Sequence, residues 1–63
     1  MDSGLAEFRR IKHMTLREMA DITGTSQSLY NKYEYCERRP SFEFLGKFAK
    51  AFPDADIRQI FFA

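Results

Sequence analysis

Sixty-three residues allow one domain, expected to span 1–63, and a chain this short buries only about 60% of the surface its unfolded form exposes. A composition of 44% hydrophobic and 30% charged residues, with no apolar run near the ~20 residues of a bilayer span, excludes both a disordered tail and a membrane helix. The net charge of +1 excludes the strongly basic balance that would by itself announce a nucleic-acid partner.

Five helices are expected in chain order. Asp2 and Ser3 precede "GLAEFRRIK", where Leu5, Phe8 and Ile11 fall three apart and are expected on one inward face. Thr15 then opens "TLRE", and Thr15 with Glu18 fits a capping box, each side chain reaching the other's backbone N–H. That second helix is expected to carry Leu16, Met19 and Ala20 inward and to end at Gly24, which takes a left-handed turn without steric cost. Ser26 is the expected N-cap of the third helix, with Leu29, Tyr30 and Tyr33 on its apolar side.

Pro40 in "ERRPS" bars helical continuation, and Ser41 can cap the fourth helix. In "FEFLGKFAKAF" the residues Phe42, Leu45, Phe48, Ala49 and Phe52 recur at helical spacing and are read as its core face, despite Gly46. Pro53 stops it. Asp56 is the expected cap of a short fifth helix, "IRQIFF", which buries Ile57, Ile60 and Phe61. Nothing alternates with period two, so no strand is expected and the fold class is all-α.

Between the second and third helices the spacing becomes informative. Two helices cross closely only where the contact residue is small, and Ala20 is small. A turn with positive φ is needed about four residues on, where Gly24 stands, and the second helix must anchor an inner face, as Tyr30 and Tyr33 can. These are the demands of a helix-turn-helix unit, here at about 16–35. In such a unit Gln27 and Ser28 face outward, with Asn31 and Lys32 one turn further on.

The strings "TLREMADITGTSQSLYNKYE", "RRPSFEFLGKFAKAF" and "IRQIFF" resemble, in order, the helix-turn-helix domains of phage repressors, Cro proteins and their bacterial regulator relatives. The resemblance covers roughly Leu5 to Phe62. It implies a compact five-helix domain of the lambda-repressor kind that places its third helix in the major groove of double-stranded DNA. On that footing Gln27 and Ser28 read base edges, and Asn31 and Lys32 contact bases or phosphates. The amide of glutamine suits adenine, offering a donor and an acceptor to N7 and N6 together. Backbone N–H groups near Thr15 to Arg17 face a phosphate, and Arg38 and Arg39 lie along the sugar-phosphate backbone or enter a minor groove.

Three positions depart from the family's pattern. Leu16 stands where the family commonly has a phosphate-clamping Gln, which moves that contact to Arg17 or the backbone. Cys36 stands where the third helix often ends in Gly, so either Cys36 adopts a left-handed conformation or the helix ends differently. "FPDAD" is about one residue longer than the usual connection.

Other readings are plainer. Arg9, Arg10, Lys12, His13 and Arg17 cluster early and Lys32, Arg38 and Arg39 follow, which permits a basic face on a near-neutral molecule or describes an ordinary solvated surface. Tyr30 and Tyr33 are core anchors; Tyr35 either contacts a phosphate or covers the loop. Cys36, the only cysteine, excludes a disulfide framework and reads as an inert or partly buried thiol. His13 has no second ligand at metal spacing and reads as a solvated turn residue, with no metal and no cofactor expected. Of Phe61 and Phe62 one packs inward, while the other is a candidate contact of a homodimer on DNA. No nucleophile stands beside a plausible base, so no enzyme is expected. With no signal peptide and no membrane span, the expected location is cytoplasmic. The expectation is a Cro- or repressor-like regulator from a phage, a mobile element or a bacterial host. The alternative is a protein-interaction module of the same fold, antitoxin-like or an anti-repressor's partner, using Phe61, Phe62 and Tyr35.

Overall fold

A computed structural model describes residues 4–62. Its helices are α1 (Gly4–Ile11), α2 (Leu16–Ile22), α3 (Gln27–Glu34), α4 (Phe42–Ala51) and α5 (Ile57–Phe62), and among the described residues there is no strand. The expected role of Asp2 and Ser3 at the start of α1 lies outside the described residues. The other expected caps are in place. Thr15 Oγ1 accepts the Glu18 N–H at 3.1 Å while the Thr15 N–H donates to Glu18 Oε1 at 2.8 Å, completing the capping box. Ser26, Ser41 and Asp56 each accept a backbone N–H of their own helix, from Leu29, Phe44 and Gln59, at 3.1 Å.

The core is formed by Leu5, Met19, Ala20, Tyr30, Tyr33, Phe44 and Phe48, with Phe8, Phe52, Ile60 and Phe61 packed partly buried against it. Aromatic rings knit it together. The Phe44 ring lies 4.6 Å from that of Tyr33, and the Phe48 ring 5.2 Å from those of both Phe8 and Phe61. Such tilted and edge-on pairs add roughly 0.5–1.5 kcal/mol each beyond their buried area. Helix α2 packs against α3 and α4, and α1 against α3 and α5, so α1 backs both the third helix and the last.

Two assignments of inward faces are corrected. Phe42 is 95% exposed and Ala49 is also exposed, while Phe44 fills the core position. Ile11 is 66% exposed, leaving Leu5 and Phe8 as the inward residues of α1. Gly4, at the start of α1, is required by close approach: a Cβ there would collide with the backbone carbonyl of Ile60. The described residues extend 26 × 24 × 23 Å. None of their helices is long and apolar enough to cross a membrane.

Candidate nucleic-acid interface

Helices α2 and α3 are joined by the turn 23–26. Ala20, 1% exposed, lets them approach closely. The Thr23 hydroxyl is buried and donates back to the Met19 carbonyl at 2.6 Å, which satisfies it inside the crossing. The turn closes by two backbone bonds: the Gly24 N–H donates to the Asp21 carbonyl at 3.2 Å and the Thr25 N–H to the Ala20 carbonyl at 2.8 Å. This double closure is a Schellman motif, whose left-handed residue is Gly24 at φ 66°.

The same motif ends α1 and α3. His13 (φ 56°) and Cys36 (φ 60°) occupy the left-handed position, with the Met14 N–H on the Arg9 carbonyl at 3.2 Å and the Glu37 N–H on the Lys32 carbonyl at 2.9 Å. Of the two outcomes left open for Cys36, the structure takes the left-handed one, at about 1–2 kcal/mol relative to glycine's freedom. Its side chain is exposed and not partly buried.

Helix α3 is fixed from behind. Tyr30 and Tyr33 are buried, and Glu34, also buried, meets Arg9 of α1 in a two-pronged ion pair: Arg9 Nε donates to Oε2 at 2.6 Å and Nη2 to Oε1 at 3.2 Å. Arg9 Nη1 also donates to the Met14 carbonyl at 3.2 Å, so one guanidinium ties together α1, the turn after it and α3. The hydrogen bond to Glu34 raises the Arg9 pKa, against the opposing effect of burial. Burial first, and the adjacent Glu34 second, push the Tyr30 phenol far above its ordinary value; its hydroxyl reaches no hydrogen-bonding geometry among the described residues. It is therefore a neutral group at any physiological pH, acting through packing.

This pair went unread in the sequence, where Arg9 counted toward an early basic cluster. That cluster is smaller than expected. Arg9 is spent inside the fold, and the Lys12 ammonium lies over the Phe8 ring at 5.5 Å. His13 is exposed in its turn, as its solvated reading required.

On the opposite side of α3, Gln27, Ser28 and Lys32 are exposed and Asn31 is half-buried. Their side chains make no hydrogen bond or ion pair among the described residues. At the start of α2, Thr15 and Arg17 are exposed. The Thr15 side chain and N–H are both committed to the capping box, which leaves the N–H groups of Leu16 and Arg17 without an acceptor in their own helix. Leu16, in place of the expected glutamine, packs half-buried against the core. Arg38 and Arg39 are exposed in the loop after α3. Arg39 also borders a groove lined by Pro40, Phe42, Leu45, Phe61 and Phe62. Of the last two, Phe61 stands near-perpendicular to the rings of Phe44 and Phe48, while Phe62 is 69% exposed. Tyr35 is 71% exposed beyond the end of α3. No group of three or more His, Cys, Asp or Glu among the described residues is placed to hold a metal ion.

A family model described as helix-turn-helix matches residues 5–58, from α1 into α5. No curated protein and no solved structure matches the chain.

Proposed function

The chain belongs to the Cro/C1-type helix-turn-helix family, and on that premise we propose that it is a sequence-specific DNA-binding regulator of transcription that acts by occupying an operator. One observation carries the reading: the polar side chains on the outer side of α3 have no partner among the described residues, while the same helix is anchored through Tyr30, Tyr33 and Glu34. Donors and acceptors held outward on a fixed helix are what base-edge readout needs.

In this reading α3 enters the major groove. Gln27 and Ser28 read bases, Asn31 and Lys32 contact bases or phosphates, and the free N–H groups of Leu16 and Arg17 face a phosphate together with the Arg17 side chain. Thr15 acts through its cap, by holding the first turn of α2 open to the backbone. Arg38 and Arg39 follow the sugar-phosphate chain. The whole of 1–63 works as one such domain.

Size argues for two copies. The described residues extend at most 26 Å, whereas half-sites one turn of DNA apart are centred about 34 Å from each other. One protomer covers one half-site, and a homodimer covers both. Phe62 with the fully exposed Phe42 supplies an apolar contact for that dimer, whereas Phe61 is engaged with the core. The same two exposed rings favour a second reading, in which the domain docks on another protein and binds DNA weakly or not at all.

Salt separates the two. Affinity for duplex DNA, followed by fluorescence anisotropy between 50 and 200 mM salt, should fall by orders of magnitude, because each neutralised phosphate releases condensed counterions. Association with a protein partner that is indifferent to salt, and no measurable DNA binding, would overturn the DNA reading in favour of the second.

A further inference from the structure

Away from α3, the line where α1 meets α5 opens into a groove of about 450 Å³. Its lining combines the apolar side chains of Phe8, Ile11 and Ile60 with the carboxylates of Glu7, Asp54 and Asp56. Gly4 shapes it: the missing side chain brings α1 onto the Ile60 carbonyl, so the two helices meet closely and leave a trough beside the contact. Ile11, at 66% exposure, presents a branched apolar side chain there without covering. Neither Glu7 nor Asp54 has an ion-pair partner among the described residues, and Asp56 uses one carboxylate oxygen to cap α5.

We propose that this groove is a docking site for a basic amphipathic helix of another protein, its apolar side seated on Phe8, Ile11 and Ile60 and its Lys or Arg side chains on the carboxylates of Glu7, Asp54 and Asp56. Charge complementarity selects the occupant. An apolar trough alone fits any hydrophobic segment, but the three carboxylates in its lining outweigh the Lys12 ammonium that lies over the Phe8 ring, so they repel an acidic segment and attract a basic one. They also repel DNA phosphates, so nucleic acid does not compete for the groove. None of the residues lining the groove belongs to α3, so the partner and the outer face of α3 draw on different side chains. The reading does not depend on the DNA assignment. Helix-in-groove docking of this kind takes its affinity from a few apolar anchors and its selectivity from the charged groups among them.

The probe is a synthetic amphipathic helix of leucine and lysine, titrated into the full chain carrying ¹⁵N, with amide shifts recorded by NMR. The expected result is saturable shifts at Glu7, Phe8, Ile11, Ala55 and Gln59. They should weaken at least about tenfold in Ile11→Ser and in the Glu7→Lys/Asp54→Lys double variant, whose changes are all exposed and leave the Asp56 cap intact. A peptide with leucine and glutamate should not bind. Shifts centred instead on Phe42 and Phe62, or binding that survives replacing the peptide's leucines by serine, would overturn the proposal. So would the same groove residues shifting with protein concentration alone, since the occupant would then be a second copy of this chain.

Discussion

On one side of α3, Tyr30 and Tyr33 close the aromatic core and Glu34 grips Arg9; on the other, Gln27, Ser28 and Lys32 stand in solvent with no partner among the described residues. The helix has eight residues, and the two faces interleave along it, so each turn contributes to both. The inner face is defined by what it excludes from water, and the outer face by what it leaves available. Anchoring and reading are thus separable by substitution, although they belong to one short helix. An outer face on a loosely held helix would lose its geometry. Here the Arg9–Glu34 pair and the two tyrosines remove that freedom before any ligand arrives.

Removing an anchor from the inner face has the largest expected effect. Tyr30→Ala deletes a fully buried ring, a change of roughly 3–5 kcal/mol. A domain of this size has about 5 kcal/mol in all, so about 0–2 kcal/mol remains, and far-UV circular dichroism should show a chain at the margin of stability, up to half unfolded, with DNA binding reduced in proportion. Next comes Glu34→Ala, which leaves the Arg9 guanidinium mostly enclosed and unpaired. With Arg9 keeping 20% of its side chain exposed, the loss should be about 2–3 kcal/mol in urea unfolding, below the figure for a wholly buried pair. Replacing both partners, Arg9→Met with Glu34→Leu, should recover most of it; a double variant as unstable as Glu34→Ala would show that the ion pair itself, and not the stranded charge, is what matters.

The outer face should behave in the opposite sense. Gln27→Ala is expected to leave the melting curve within about 0.5 kcal/mol of the parent while removing about 1–3 kcal/mol of discrimination at one base pair. If Lys32 contacts a phosphate, Lys32→Ala should weaken binding to every sequence alike and reduce the slope of log K against log salt by about 1, whereas a loss confined to one base pair would assign it to a base edge. The smallest effect falls at the end of the helix. Cys36→Gly relieves a left-handed residue of about 1–2 kcal/mol but frees the unfolded chain at about 0.4–1 kcal/mol. The net should be a gain of a few degrees in Tm with base preference unchanged.

The local parts of this architecture were legible in the sequence because their causes are local. Thr15, Ser26, Ser41 and Asp56 cap helices that begin one residue later, and Gly24 ends one by its own φ. The two misread faces share a single cause. Steps of three residues fall short of the helical turn, so Ile11 lies about 120° around α1 from Leu5, and Phe42 about 120° around α4 from Phe48. Phe44 lies about 40° from Phe48 and takes the core position. Arg9 and Glu34 carried no local signal at all, being 25 residues apart and of types normally exposed. His13 in a left-handed turn was likewise unsignalled, because the glycine that marks such a turn is absent. For the interface, the outward positions of Gln27, Ser28 and Lys32 followed from the anchoring of Tyr30 and Tyr33, whereas the commitment of Thr15 to its cap emerged only from the bonds it makes.

The most direct test is selection from a pool of random duplex DNA at moderate salt, run in parallel on the parent chain and on Gln27→Ala and read by sequencing. An enriched motif with dyad symmetry is expected for the parent, and for the variant the same motif with preference lost at one position in each half-site. A folded parent chain that enriches nothing, or a variant whose motif is unchanged, would contradict the claim that the outer face of α3 reads DNA.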